Sequence, residues 1–206
     1  MTKDETSGAA VPIHATPVPA LLDAASAKFP QAIAMDFLGK RTSYAEFARL
    51  ADAAAAGFQR LGVKKGSRVA LCLPNTPYAV ICYYAILKAG GIVVNLSPLY
   101  VEREFRHFIQ DSGATIVVTL DLAELCNKLT PIVGACGLET LIICSLPDLL
   151  PPLKRLGFHL TKRKDLANIK ADARHIPFRT LIAPGGRPTP VACDPETEIA
   201  VLQYTG

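Results

Sequence analysis

The last residues of the chain have side chains that suit phosphate binding. Residues 198–203 form an apolar run that predicts a buried strand, and Tyr204, Thr205 and Gly206 follow it directly. A glycine lets the backbone approach a ligand closely, and a threonine hydroxyl can donate to a phosphate oxygen. Three residues cannot surround a triphosphate, because several successive amide groups must converge on it. By itself, this segment predicts only a strand that ends in a turn.

The other reactive side chains form no catalytic or metal-binding pattern. The histidines have no nucleophile or carboxylate spaced with them as in a triad, and the cysteines include no C-x-x-C pair. Most cysteines lie in apolar runs, where a thiol acts as a small hydrophobic group. We therefore predict no catalytic residue, no metal site and reduced cysteines in a cytoplasmic protein. The cysteines are Cys72, Cys82, Cys126, Cys136, Cys144 and Cys193.

Length and composition predict a globular protein. The 206 residues are 50% hydrophobic and 19% charged, so the chain can bury a core without disulfides and does not have the composition of a disordered protein. The net charge of +4 is too small to indicate nucleic-acid binding. The first ten residues do not resemble a signal peptide, and the longest apolar run, within residues 77–88, is too short to span a bilayer.

Between residues 16 and 144 the hydrophobic pattern alternates between helical and strand periods. The clearest helix begins after Ser43, whose hydroxyl can cap the first turn while Glu46 reaches back to its start. Repeated strand and helix units with apolar strands are typical of a mostly parallel sheet flanked by helices, so we predict an α/β fold. The predicted strands are residues 32–38, 67–73, 92–94, 115–120, 139–144 and 198–203, and the predicted helices are residues 16–29, 44–61, 76–89, 101–111 and 122–129.

After residue 147 the composition changes. Residues 148–195 combine a basic segment with a loop rich in proline and glycine, and residues 151–170 carry a net charge of +5. Residues 174–195, which include PGGRPTP, predict a loop without regular structure. We expect a flexible N-terminal tail over residues 1–15 and a single incomplete domain over residues 16–206.

The basic segment has the pattern of a helix that lies on a membrane surface. On a helix, the leucines of residues 149–160 would lie within about 60° of one another, with the basic residues mainly on the opposite side. Such leucines can enter the acyl boundary of an anionic bilayer while basic groups contact its headgroups. Alternatively, the leucines pack on the domain, and proline and glycine weaken the helix. The predicted membrane-contact residues are Leu153, Lys154, Arg155, Leu156, Leu160, Lys162 and Arg163.

Four short motifs occur in order along the chain: LPN at residues 73–75, AGG at residues 89–91, NLSPLY at residues 95–100 and YTG at residues 204–206. Together they resemble the N-terminal region of AMP-forming acyl-CoA synthetases of the adenylate-forming superfamily, and NLSPLY is most similar to long-chain fatty acid CoA ligases. The resemblance implies that Tyr204, Thr205 and Gly206 open the loop that holds the ATP phosphates. The remainder of that loop and the C-terminal domain have no counterpart here, so we expect an N-terminal part of such an enzyme.

The resemblance also implies ATP, Mg²⁺ and CoA as cofactors and a fatty acid as substrate. In this family ATP and the carboxylate give an acyl-adenylate and pyrophosphate, and the thiol of CoA then displaces AMP, while magnesium neutralises the phosphates. Because most of the phosphate loop is missing, we expect residues 1–206 alone to show no ligase activity and no measurable ATP affinity. The expected location is the cytoplasm, with peripheral contact at the inner membrane face.

Two other interpretations remain open. A relative that adenylates aryl or amino acids, or that loads a carrier protein, would share these N-terminal motifs. A truncated, non-catalytic module that only binds partners or a membrane is favoured if the gene stops at residue 206.

Overall fold

Apolar strands and helices alternate along residues 15–204, the part of the chain that the computed structural model describes. The helices are α1 (Val18–Lys28), α2 (Tyr44–Arg60), α3 (Pro77–Lys88), α4 (Glu102–Ser112), α5 (Ala123–Leu129), α6 (Pro152–Thr161) and α7 (Phe178–Ile182). The strands are β1 (Ile33–Phe37), β2 (Lys40–Ser43), β3 (Arg68–Cys72), β4 (Ile92–Asn95), β5 (Ile116–Leu120), β6 (Thr140–Cys144), β7 (His175–Pro177) and β8 (Val201–Gln203). The predicted residues 1–14 of the tail and the predicted site residues Thr205 and Gly206 lie outside the described part.

Six of these strands form one parallel sheet in the order β7-β6-β5-β3-β4-β8, which confirms the predicted fold class. Every residue of β5 is buried, as expected for a strand covered on both faces. Because β4 and β5 lie on opposite sides of β3, right-handed crossovers place α3 and α4 on opposite faces of the sheet. The helices α1 and α2 pack with α3, whereas α5 packs with α4.

The helix α2 begins after Ser43, as predicted, and within residues 15–204 the serine half of the predicted capping box is present without the bond from Glu46 back to the helix start. The Ser43 hydroxyl accepts a hydrogen bond from the backbone N–H of Glu46 at 3.2 Å. Phe47, Ala54 and Phe58 recur on the buried side of the helix and enter the core. This helix therefore covers one face of the sheet with an apolar stripe.

The sequence did not predict the antiparallel hairpin formed by β1 and β2. Phe37 pairs with Lys40, so Leu38 and Gly39 alone make the turn. Both have positive φ, at 54° and 93°, as the two central residues of a tight hairpin turn require. The hairpin thus places Leu38 at its tip, where the side chain is 55% exposed.

The prediction of no regular structure over residues 174–195 is wrong at its start. The strand β7 pairs with β6 at the edge of the sheet, and α7 follows it at once. Phe178 and Leu181 of α7 are buried in the core, which explains how a helix of five residues is stable. Farther along, the side-chain amide of Gln59 both donates to the Thr189 carbonyl at 2.9 Å and accepts from its N–H at 2.8 Å.

In residues 15–204 no helix combines the length and the hydropathy that crossing a bilayer requires.

Candidate nucleotide-binding edge of the sheet

The carboxyl ends of all six parallel strands meet at one edge of the sheet. In open α/β sheets, ligands bind at this edge where neighbouring connections leave toward opposite faces. The strand β3 leads to α3 on one face, and its neighbours β4 and β5 lead to α4 and α5 on the other. The chain leaves β8 at this same edge, and Tyr204 is the next residue.

Tyr204 is held against α4 by a hydrogen bond and by ring packing. Its hydroxyl donates to Oδ2 of Asp111 at 2.6 Å. Its ring centre lies 4.5 Å from that of Phe108, which in turn lies 4.9 Å from the ring of Tyr100. These contacts join the end of β8, the middle of α4 and the NLSPLY motif, to which Tyr100 belongs.

The strand β8 is aligned with β4 by paired amide side chains. Gln203 lies opposite Asn95 in the parallel register, and Nδ2 of Asn95 donates to Oε1 of Gln203 at 2.9 Å. The backbone N–H of Val93 donates to the carbonyl of Ala200 at 3.0 Å. The backbone at the end of β8 is therefore positioned by two neighbouring elements, β4 and α4.

The phenol of Tyr204 serves as a hydrogen-bond donor within the protein. Burial raises the pKa of Tyr204 above its usual value, and the hydrogen bond to Asp111 raises it further. Because this hydroxyl is already bound to Asp111, a phosphate at the edge would meet the backbone of Tyr204 rather than its side chain. Thr205 and Gly206 lie outside the described residues, so the phosphate contact of these three residues stays a prediction.

Sequence reasoning did not single out Asp121, which lies at the same edge directly after β5. Its carboxylate accepts a hydrogen bond from the N–H of Leu146 at 2.8 Å and so joins the segments that follow β5 and β6. Burial raises the pKa of Asp121, although the hydrogen bonds that it accepts oppose this rise. Its position after an apolar strand was the one available sequence signal.

Four of the six cysteines act as hydrophobic groups in the core: Cys72, Cys82, Cys126 and Cys144 are buried, whereas Cys136 is half-buried and Cys193 is exposed. Burial raises the pKa of Cys72 and of Cys126 to about 12. These two thiols stay protonated at neutral pH and do not act as nucleophiles.

The motifs imply Mg²⁺ and ATP as ligands of the carboxyl edge. Within residues 15–204, no three histidine, cysteine or acidic side chains converge on a possible metal position. At the carboxyl edge these residues provide a positioned strand end and the Tyr204 anchor, but no set of ligands for Mg²⁺ or for a triphosphate.

A large cavity lies at the opposite edge of the sheet, where the parallel strands begin. It has a volume of about 1120 Å³ and is bordered by α1, by Gly66 and Gly90 before β3 and β4, and by residues of the segment 186–200. Ion pairs such as Lys65 with Glu198, at 2.6 Å, lie at its wall. Its position does not match the edge at which α/β sheets bind nucleotides.

The predicted amphipathic segment forms a helix, α6, whose leucines face away from the domain. Leu153, Leu156 and Leu160 are 82%, 59% and 79% exposed. The alternative that the leucines of residues 149–160 pack on the domain holds for Leu149, which precedes α6 and is buried, and not for these three leucines of the helix. Proline occupies the first helical position, where it needs no hydrogen-bond donor, and Gly157 does not interrupt the helix.

Two of the predicted headgroup contacts instead bind the protein itself. Nζ of Lys154 donates to the carbonyl of Leu38 at 2.7 Å, and Arg155 forms an ion pair with Asp148 at 2.9 Å. Both side chains therefore attach α6 to the rest of the domain.

The remaining basic residues of the prediction follow the end of α6. Nζ of Lys162 lies 3.7 Å from a carboxylate oxygen of Asp165, and Arg163 is exposed. Within residues 15–204, neither Arg163 nor Lys164 has a side-chain hydrogen bond or ion pair.

Comparisons with known proteins agree with this geometry. The family model described as AMP-binding enzyme matches residues 22–206. A long-chain-fatty-acid–CoA ligase of Bacillus subtilis is 35% identical over 208 residues, covering 94% of this chain and 36% of the relative. A salicyl-AMP ligase of Mycobacterium tuberculosis is 37% identical over 109 residues, covering 50% of this chain and 19% of the relative. The chain thus spans about a third or less of these relatives.

A solved structure of a ligase has a similar fold. The crystal structure of a long-chain-fatty-acid–CoA ligase from Archaeoglobus fulgidus superposes with a TM-score of 0.72 at 21% identity. The match covers 95% of this chain and 35% of that protein. At this identity the likeness concerns the fold alone, and the fold is that of the N-terminal third of an adenylate-forming ligase.

Proposed function

Because the chain belongs to the AMP-binding enzyme family, we propose that it is the N-terminal part of an acyl-CoA ligase that activates a fatty acid with ATP and transfers the acyl group to CoA. The main support is the end of β8, where Tyr204 is anchored at the carboxyl edge of the sheet. The family's phosphate loop would begin at this point. The Bacillus subtilis relative, a long-chain-fatty-acid–CoA ligase, supports a fatty acid as the substrate.

In the proposed reaction, a carboxylate oxygen of the fatty acid attacks the α-phosphorus of ATP and pyrophosphate leaves. The CoA thiol then attacks the acyl carbonyl, loses its proton and releases AMP. Backbone amides of residues 204–206 would bind phosphate oxygens, together with residues that follow them in the whole enzyme. Mg²⁺ would neutralise phosphate charge. Since ATP and CoA are substrates, the proposal includes a cytoplasmic location.

A second candidate is an enzyme that adenylates an aryl acid. The salicyl-AMP ligase of Mycobacterium tuberculosis favours it, with 37% identity over half of this chain. The relative that covers 94% of the chain favours a fatty acid instead, and for that reason we place the aryl acid second.

Exchange of labelled pyrophosphate into ATP tests the proposal. The assay uses the longest form of the protein that contains this sequence, with palmitate, decanoate or salicylate as the acid. We expect exchange with a fatty acid and formation of acyl-CoA when CoA is added. Exchange with salicylate but with neither fatty acid would favour the second candidate. If the folded protein shows no exchange with any of the three acids, both candidates are wrong.

The 206-residue chain provides a separate test of the incomplete loop. Calorimetry with ATP and Mg²⁺ should detect no binding, because successive amides beyond residue 206 are needed to surround the phosphates. Saturable binding at micromolar concentration would contradict this expectation.

A further inference from the structure

We propose that α6 and the residues around it form a docking surface for an anionic lipid bilayer. This docking surface consists of Leu153, Leu156 and Leu160, together with Arg163 and Lys164. Its apolar side chains would enter the acyl boundary, and its two cationic side chains would contact lipid phosphates. The proposal goes beyond ligase activity and does not depend on it.

The leucine face of α6 is apolar and uncovered. Leu153, Leu156 and Leu160 lie at helical spacings of three and four residues, so they point to one side. Each is more than half exposed. Leucine is costly to expose in water, and apolar side chains that cluster on a surface mark a site of interaction.

The opposite side of α6 fixes its orientation. Lys154 and Arg155 bind Leu38 and Asp148, as described above. Nζ of Lys40 also donates to the carbonyl of Asp148, at 2.6 Å, which ties the hairpin to the segment before α6. The helix is therefore held with its leucines outward, and the hairpin tip with Leu38 lies beside it.

The cationic part of the docking surface is also positioned. Arg163 and Lys164 follow α6 directly, and both are exposed. The chain then returns to the sheet, where the N–H of Ala167 donates to the carbonyl of Asp121 at 2.8 Å. The two cations therefore remain near the end of the leucine face, and their side chains have no partner in residues 15–204.

A bilayer fits this surface better than a protein partner does. A stable protein interface needs about 800 Å² on each side with complementary shape, whereas a ten-residue helix is only about 15 Å long. A bilayer accepts leucines without a matching pocket, and anionic lipids attract adjacent lysine and arginine side chains. The surface combines both features within one short segment.

Tryptophan fluorescence tests whether the leucine face enters lipid. The chain has no tryptophan, so L156W gives a single reporter on α6. I199W is the matched control, because Ile199 is 58% exposed and precedes β8. The strand β8 is the outermost strand on the side of the sheet opposite β6 and β7, the strands that flank α6 in the chain. With vesicles of phosphatidylcholine and phosphatidylglycerol, we expect a blue shift for L156W and none for I199W. Equal shifts in both variants, or none in L156W, would overturn the proposal.

Vesicle co-sedimentation of the longest form of the protein that contains this sequence tests the charges. Removing the two cations with R163Q/K164Q should weaken binding to anionic vesicles about fivefold per charge. The control K64Q/R103Q removes two exposed charges elsewhere and should sediment like the wild type. Identical sedimentation of R163Q/K164Q and the wild type would overturn the electrostatic part of the proposal.

Leucine substitutions at high salt separate the apolar contribution to vesicle binding from the electrostatic contribution. L153S/L156S/L160S should reduce the binding that persists at high salt by at least about tenfold. The control L21S/I199S changes exposed apolar residues elsewhere and should bind normally. If the leucine substitutions instead convert a dimer to a monomer without changing sedimentation with vesicles, the face binds a second copy of the chain and the bilayer proposal is wrong.

Discussion

Lys88, in the last turn of α3, joins three helices. Its Nζ donates to Asp23 of α1 at 2.5 Å and to Asp52 of α2 at 2.7 Å, and its side chain is largely buried. Burial alone would lower the pKa of Lys88, but the hydrogen bonds to the two carboxylates outweigh it and raise that pKa. The folded protein therefore favours the charged amine. This stabilisation is fully present below the unfolded pKa, near 10.5, and is lost as pH rises through the higher folded pKa.

The substitution Lys88→Met should lower the free energy of unfolding by about 1 to 2 kcal/mol at pH 7, because two carboxylates lose their cation. The difference from the wild type should shrink as the pH rises above 10.5 through the higher folded pKa, where wild-type Lys88 loses its charge. Urea unfolding at pH 7 and over this alkaline range measures the difference. Lys64→Met, at an exposed site, is the control and should change little. A difference that is independent of pH would show that lost packing, not charge, is responsible.

Tyr204→Phe should lower the stability of the β8 end by about 1 kcal/mol, because the hydrogen bond to Asp111 is lost while the ring contact with Phe108 remains. Thermal unfolding of Tyr204→Phe, Asp111→Ala and the double variant gives the coupling between the two residues. Tyr83→Phe is the control, because the Tyr83 hydroxyl has no hydrogen bond within residues 15–204. Additive effects of the two single substitutions would contradict the proposed anchor.

The helices α2 and α7 meet closely at a glycine. A Cβ added to Gly57 would lie 2.6 Å from the carbonyl oxygen of Leu181, which is backbone and cannot rotate away. Gly57 therefore permits a contact that no other residue type allows without a shift of α7. Gly157 in α6, by contrast, has no atom within 4 Å of its added Cβ.

The same change at these two glycines should have opposite effects. Gly57→Ala should destabilise the protein by about 1 to 3 kcal/mol through overpacking. Gly157→Ala should stabilise α6 by up to about 1 kcal/mol, because alanine has the higher helix propensity. Chemical denaturation of both variants measures this. If Gly57→Ala also stabilises the protein, the α2–α7 contact is looser than described.

Local patterns predicted the long elements and missed those that depend on distant contacts. The serine cap at Ser43 and the apolar strand β5 carry enough local signal to be recognised. The strand β7 and the helix α7 have three and five residues, and their stability comes from pairing with β6 and from burial of Phe178. The hydrogen bond that anchors Tyr204 could not be predicted either, since its partner Asp111 lies 93 residues away in the sequence. The YTG motif predicted a phosphate site but gave no sign that Asp111 positions its tyrosine.

At the scale of the whole molecule, the sheet ends in two strands, β7 and β8, that each have one neighbour within residues 15–204. An unpaired strand edge can bind another strand, and the apolar faces beside it are left without a neighbour. Adenylate-forming relatives are about three times as long as this chain.

The 206-residue chain should consequently bind a hydrophobic dye and self-associate more than a longer form of the protein does. Light scattering and dye fluorescence at equal molar concentration measure the difference. A monodisperse monomer that unfolds cooperatively and binds little dye would contradict this expectation.

The pairing of β4 with β8 also has a consequence for synthesis on the ribosome. Asn95 and Gln203 are 108 residues apart, so β4 is made long before its partner. At 5 to 20 residues per second, the wait is about 5 to 20 s. During this time β3 and β5 can already form the centre of the sheet, while Val93 and Val94 keep an open edge with unpaired amides. The nascent chain would therefore be a substrate for chaperones that protect exposed strands until β8 emerges.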